Sequence, residues 1–161
     1  GLLGVRCRDL GDGDPGTDEP PLIEWYELGR DGGVTFTPHT IHADSGGGAG
    51  KASFQDLSFT KYVDSASPAL MLHLAKGSHI EKAVLLVRKA GEGQEKYIQI
   101  DMTKCIVTSI SSGGSGGEDK LTENVTLNFA EVKYEYFKQD ATGKTASAGI
   151  FNWDIAATAV I

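Results

Sequence analysis

Ser115 sits in Gly113-Gly114-Ser115-Gly116-Gly117, a literal Gly-x-Ser-x-Gly. In a nucleophile elbow that pattern places a serine Oγ on a sharp strand-to-helix turn, where a histidine can take its proton. Here Glu118-Asp119-Lys120 and then an alternating apolar run follow, so a strand is expected after the serine instead of a helix. The histidines, His39, His42, His73 and His79, all lie upstream of Ser115, against the chain order serine, acid, histidine. Ester hydrolysis through Ser115 therefore stands only as an alternative, since a glycine-rich loop matches the motif by composition. Gly46-Gly47-Gly48-Ala49-Gly50-Lys51 suggests a phosphate cradle. A P-loop, however, needs glycine where Ser45 stands and Ser or Thr where Ala52 stands.

Metal chemistry is no better supported. His39 and His42 are three apart, and His73 and His79 flank a helix end, but a zinc site needs a converging third or fourth ligand. Asp12, Asp14, Asp18 and Glu19 lack the spacing of a calcium loop and read as a solvated acidic segment. Cys7 and Cys105 define no disulfide framework. A disulfide between them stays open, but Cys105-Ile106-Val107 reads as strand with a small buried hydrophobe. Asn124-Val125-Thr126 matches a glycosylation acceptor but falls inside a predicted strand. No catalytic residue, metal or cofactor is expected.

The elements that would carry these residues are mostly strands. Residues 1–20 are rich in glycine and acid and read as loop or disorder. Leu22 to Leu28 and Val34 to Thr37 are short strands, and residues 38–52 form a long loop. Ser53 to Val63 is a strand with Phe54, Leu57 and Phe59 as its apolar set. A helix follows over about residues 67–76. Ser67 suits its N-cap, Pro68 its first turn, Leu70, Met71, Leu74 and Ala75 its buried stripe, and Gly77 its end. Two turns do not persist alone, so this helix must pack on something. Ala83 to Lys89 is nearly continuous apolar residues, as in a strand covered on both faces. Gly91 to Gly93 is a hairpin turn, followed by strands Lys96–Met102, Cys105–Ile110 and Leu121–Phe129. Val125, Leu127 and Phe129 alternate, then Val132, Tyr134 and Tyr136 take over one residue out of phase. That predicts a bulge or bend near Ala130. Asp140 to Gly143 is a turn, and Phe151 to Ile155 a terminal strand.

The chain has 161 residues, enough for one domain that buries its own core. Its net charge of −7 and its lack of a basic run exclude a nucleic-acid partner. No apolar run approaches the ~20 residues that span a bilayer, so membrane insertion is not expected. The first residues carry no segment of signal-peptide character.

Four stretches together resemble the Hcp family, the hemolysin-coregulated tube proteins of the bacterial type VI secretion system. They are Gly46–Lys51, Phe54-Gln55-Asp56-Leu57-Ser58-Phe59-Thr60-Lys61, Val87-Arg88-Lys89-Ala90-Gly91, and the run from Ser111 to Phe129. The resemblance extends from about Gly46 to the C-terminus. It implies a mainly β fold, a β-barrel-like sandwich of two sheets with one short flanking helix, as a single domain over residues 1–161. It implies no active site. It implies homohexameric rings that stack into a tube, carry small effector proteins, and work with a contractile sheath and spike proteins. By the same resemblance the protein resides in the bacterial cytoplasm before firing, then is secreted without a cleaved signal peptide. Gly46, Gly47, Gly48, Ala49, Gly50 and Lys51 correspond to the loop contacting the adjacent ring. Val125, Leu127, Tyr134 and Tyr136 lie in the sheet near subunit contacts. Residues 1–45 depart from the family pattern, so no lumen-facing residue is carried over there. A phage-like tail-tube subunit is the second reading.

Overall fold

The structure is a computed structural model that describes residues 2–8, 22–28, 34–35, 38–40, 52–64, 66–88, 95–114 and 121–161. Among the described residues, eleven strands and one helix run in the order β1 (Leu2–Arg8), β2 (Leu22–Leu28), β3 (Val34–Thr35), β4 (Pro38–Thr40), β5 (Ala52–Phe54), β6 (Leu57–Tyr62), α1 (Ser67–Lys76), β7 (His79–Arg88), β8 (Lys96–Gly113), β9 (Thr122–Asn128), β10 (Glu131–Gln139) and β11 (Thr145–Asp154). Nine strands share one antiparallel sheet in the order β2-β1-β7-β8-β9-β6-β3, with β10 on β8 and β11 on β10. β4 and β5 pair separately. β2 comes back against β6, so the sheet curls without closing. The expected mainly β fold with one flanking helix is present, and its two layers are largely parts of one creased sheet.

Several expectations are corrected. Leu2–Arg8, expected as loop, is a strand between β2 and β7. Pro38–Thr40 pairs with Ala52–Phe54 inside the stretch expected as a long loop. The single strand expected over Ser53–Val63 breaks at Gln55-Asp56 into β5 and β6. There Asp56 accepts bonds from Thr108 Oγ1 at 2.7 Å and Asn128 Nδ2 at 2.8 Å. Two acceptor oxygens thus hold the break against β8 and β9. The strands expected over Lys96–Met102 and Cys105–Ile110 are one 18-residue strand. The hairpin turn expected at Gly91–Gly93 lies outside the described residues.

The core is continuous across β6, α1, β7, β8, β9 and β10. Leu57, Phe59, Leu70, Ile80, Leu85, Met102, Val125, Leu127 and Val132 are all essentially inaccessible to solvent. Each such aliphatic or aromatic side chain contributes about 1.5–3 kcal/mol by leaving water. β7 buries one face: Ala83 and Leu85 are fully covered, and Val84 and Leu86 only partly.

A crease crosses the sheet. On β7 the buried pattern skips from Ile80 to Ala83, on β8 from Met102 to Cys105, and between β9 and β10 from Phe129 to Val132. Two consecutive residues per strand turn away from the core, at the same level. The ladders pair Ile80 with Cys105 and Lys82 with Thr103, but not Glu81 with Lys104. They pair Ile106 with Asn128 and Thr103 with Glu131, so two residues lie between the paired positions on each strand. Equal numbers mean that no extra residue is inserted. The phase change expected near Ala130 is therefore a bend and not a bulge. Lys104 takes the turn at φ 52°, a left-handed conformation disfavoured for a residue with a Cβ.

Helix α1 ends as expected: Gly77 adopts φ 60°, and the N–H groups of Gly77 and Ser78 bond Leu74 O and His73 O. Its start differs. Ala66 is the N-cap, and Ser67 is buried inside the first turn. Ser67 Oγ accepts from Asp64 N at 3.0 Å and donates to Glu123 Oε1 at 2.7 Å. Of the expected buried stripe, Leu70 is buried and Leu74 packs on the core, whereas Met71 and Ala75 are exposed.

Candidate assembly surface

A strand that bonds on one side only presents a row of unused N–H and C=O groups. β11 is such a strand. Among the described residues it pairs with β10, apart from one bridge of Asp154 to Ala159. Tyr134 stands opposite Phe151, Tyr136 opposite Gly149, and Glu135 opposite Ile150. Residues directly opposite share a face. One face therefore carries Tyr134, Tyr136 and Phe151, and the other Glu135 and Ile150. Tyr136, Ile150 and Phe151 are 46%, 56% and 42% exposed. Both faces of this ribbon thus offer apolar surface to solvent.

Ring and charge contacts brace the ribbon. Phe151 stacks on Trp153 at 6.2 Å and on Phe54 of β5 at 6.0 Å between ring centroids. Such pairs add about 0.5–1.5 kcal/mol beyond area burial. Lys96 Nζ lies 4.0 Å over the Phe137 ring. Lys133 Nζ meets Glu135 Oε2 at 2.9 Å. That ammonium, and then a Ser147 hydroxyl, hold the Glu135 carboxyl below the usual carboxylate range. At the ribbon tip Asp140 Oδ1 accepts from Thr142 N, Thr142 Oγ1 and Lys144 N, which closes the expected turn around Gly143 at φ 86°.

The four residues expected near subunit contacts are separated by this geometry. Val125 and Leu127 are fully buried in the protomer's own core, so their side chains have no surface left for a partner. Tyr134 is half-buried and packs against the core. Tyr136 alone of the four is substantially exposed. Gly46–Lys51 and Ser115 lie outside the described residues. Ile150 was missed as a surface residue. The signal available was the small-residue run Ala146-Ser147-Ala148-Gly149 just before it.

The potential chemical groups are occupied structurally. Cys105 is free and fully buried, and burial pushes its thiol up to about 12, which suppresses the reactive thiolate. His73 Nδ1 is engaged with Ser78 Oγ at 2.8 Å. Asn124 of the glycosylation motif lies in β9, with its Oδ1 accepting from Thr60 Oγ1 of β6.

A creased antiparallel sheet with one packed helix and an open apolar edge defines a mainly β protein whose chemistry is that of a surface. The chain belongs to the family described as type VI secretion system effector, Hcp, which it matches over residues 30–136. It is 49% identical over 107 residues to protein Hcp1 of Pseudomonas aeruginosa. That alignment takes in 65% of this chain and 66% of the relative, just under two thirds of the relative's length. The fold is similar to the solved Hcp1 of Salmonella typhimurium, with a TM-score of 0.67 and 32% identity over 98% of this chain and 97% of that one. It is also similar to a solved type six secretion system protein, with a TM-score of 0.79, 22% identity and 98% of each chain covered, a likeness of fold. Membership of this structural family sets the chain apart from the serine hydrolases suggested by the Ser115 motif. Among the described residues, no helix is long and apolar enough to cross a membrane.

Proposed function

We propose that this chain is a tube subunit of a type VI secretion apparatus, secreted in the act of firing. Six copies close into a ring through head-to-tail contacts, and rings stack into a tube. A heterologous contact closes when the rotation between neighbours divides a full turn, and otherwise runs on as a filament. The observation that supports this reading is β11: among the described residues it pairs on one side only, with Tyr136, Ile150 and Phe151 exposed. Natural proteins cover or charge such edges unless a partner does so. The Gly46–Lys51 segment contacts the next ring, small effector proteins ride inside, and sheath and spike proteins are the outer partners. The protein is held in the bacterial cytoplasm until firing.

Light scattering of the purified protein tests the ring directly. A solution mass near six protomers is expected, and a monomer at all attainable concentrations refutes the ring. Stacking has its own test in Gly48→Val, which should shorten tubes seen by electron microscopy while single rings persist. Unchanged tube length would remove Gly46–Lys51 from the ring-to-ring contact. A phage-like tail tube shares the same surface physics, and no feature of the described residues favours it.

A further inference from the structure

Helix α1 is apolar on more than its core side. Leu70 is buried, Leu74 packs on the core, and Ser67 reaches Glu123. Pro68, Met71, Leu72 and Ala75 follow the spacing i, i+3, i+4, i+7, which sets them on a second face of the helix. All four are exposed, Met71 at 44% and Leu72 at 52%. With 3.6 residues per turn, the inner and outer stripes together span an arc of about 200°. That is roughly twice the width a helix needs to pack on one core. The outer stripe is therefore surplus to the fold of the protomer.

The apolar surface continues past the helix start. Val63 N donates to Leu121 O at 2.9 Å, which prolongs the β6–β9 ladder there, and both side chains are exposed. A second set, Tyr136 and Phe151, shares one face of the β10–β11 ribbon. Leu121 precedes β9 and Tyr136 lies within β10, so the crease separates the two sets. One protomer thus presents two unlike apolar surfaces. A head-to-tail contact requires that, because each copy gives one surface and receives on the other. Charge agrees with such a pairing. α1 holds no carboxylate and ends on Lys76, whereas β11 holds no lysine or arginine and ends on Asp154. Bringing the two elements together sets no like charges against each other. Aromatic side chains are also enriched where proteins meet, and a helix is one of the covers that a strand edge takes.

We propose that α1 receives the β10–β11 ribbon of the next copy of this chain, with Tyr136 and Phe151 of one protomer lying on Met71 and Leu72 of its neighbour. The contact rests on the ring reading above and supplies its second surface. Cysteines introduced as Leu72→Cys and Tyr136→Cys, joined by a short bismaleimide in the full chain, test it. The double variant should give a ladder of covalent species up to six protomers on a denaturing gel. Each single variant should stay at the background of the parent protein, whose Cys105 is buried. Linked dimers from Leu72→Cys alone would put α1 against α1, and from Tyr136→Cys alone ribbon against ribbon. Either result overturns the proposal. Leu72→Lys should also bring the light-scattering mass from near six protomers to near one at the same concentration, with far-UV circular dichroism unchanged. Wild type near six with no ladder from the double variant, or Leu72→Lys still near six, overturns the α1 contact and leaves the ring standing. A monomeric wild type overturns ring and contact together. If Leu72→Lys does not fold, the ladder decides alone.

Discussion

Removing Lys61 should cost far more stability than removing its partner Glu123. The two form a buried ion pair at 2.6 Å, with 1% and 0% of their side chains exposed. Their environments are unequal. Lys61 Nζ also donates to Tyr62 O at 2.8 Å and Asp64 Oδ1 at 2.9 Å. Glu123 Oε1 accepts from Lys61 and Ser67, whereas Oε2 is buried with no hydrogen bond. Lys61→Met leaves a buried carboxylate with one hydroxyl donor, so the cost should fall in the range of about 3–5 kcal/mol for breaking a buried pair. At ~2.1 cal/mol/K per residue, a chain of this length should lose about 9–15 °C in Tm. Glu123→Leu leaves the ammonium with Tyr62 O, Asp64 Oδ1 and, at 3.4 Å, Ser67 Oγ, so about 1–3 kcal/mol is expected. The double variant removes the uncompensated carboxylate and should recover most of the Lys61→Met loss. Guanidinium unfolding of all four proteins, at one protein concentration, gives the cycle. Equal losses for the two single variants, or a double variant equal to their sum, would refute the reasoning.

Gly77→Ala should cost about 1 kcal/mol from backbone conformation alone, because φ is 60° and nothing lies within 4 Å of the added Cβ. A urea midpoint at constant slope checks it. The lowered carboxyls of Glu131, Glu135 and Asp140 contribute stability that is present above the unfolded-state pKa values, about 4, and is lost as pH falls through the lower folded values. Thermal stability should therefore fall below about pH 4, and Glu135→Gln should flatten that dependence. Cys105, raised to about 12, behaves oppositely on the alkaline side. Its contribution is intact below the unfolded thiol pKa, about 8.5, and is lost as pH rises towards 12. Iodoacetamide should label Cys105 at pH 8 only when denaturant opens the core, as read by peptide mass spectrometry.

The apolar alternation of Val125, Leu127 and Phe129, and its change of phase at Val132, were legible because strand side chains alternate by geometry. The same skip stands in Ile80 to Ala83 and Met102 to Cys105. Around Lys104 it read as the end of one strand and the start of another, because a lysine gives no sign of a left-handed turn. Ser67 read as an N-cap because capping is local. Its actual acceptor, Glu123, lies 56 residues away and is reached only through the packed sheet. Met71 fitted a helical stripe and still faces water, because this ten-residue helix buries a narrow face.

For the assembly surface the division is sharper. Tyr134 and Tyr136 were visible as aromatics of one strand, but sequence could not separate them from Val125 and Leu127, which are core. Burial is decided by what the opposite layer covers, and that depends on where the crease falls.

By itself the sequence determined strand alternation, the helix and its glycine stop, the lack of basic runs and the likeness to a family of secreted tube proteins. Each depends on residues close in the chain or on a pattern read along it. Tertiary structure alone decided that three phase changes align into one crease, that Lys61 finds Glu123, and that β11 is left at an edge. Those are contacts between residues far apart in the chain, and no local propensity specifies them.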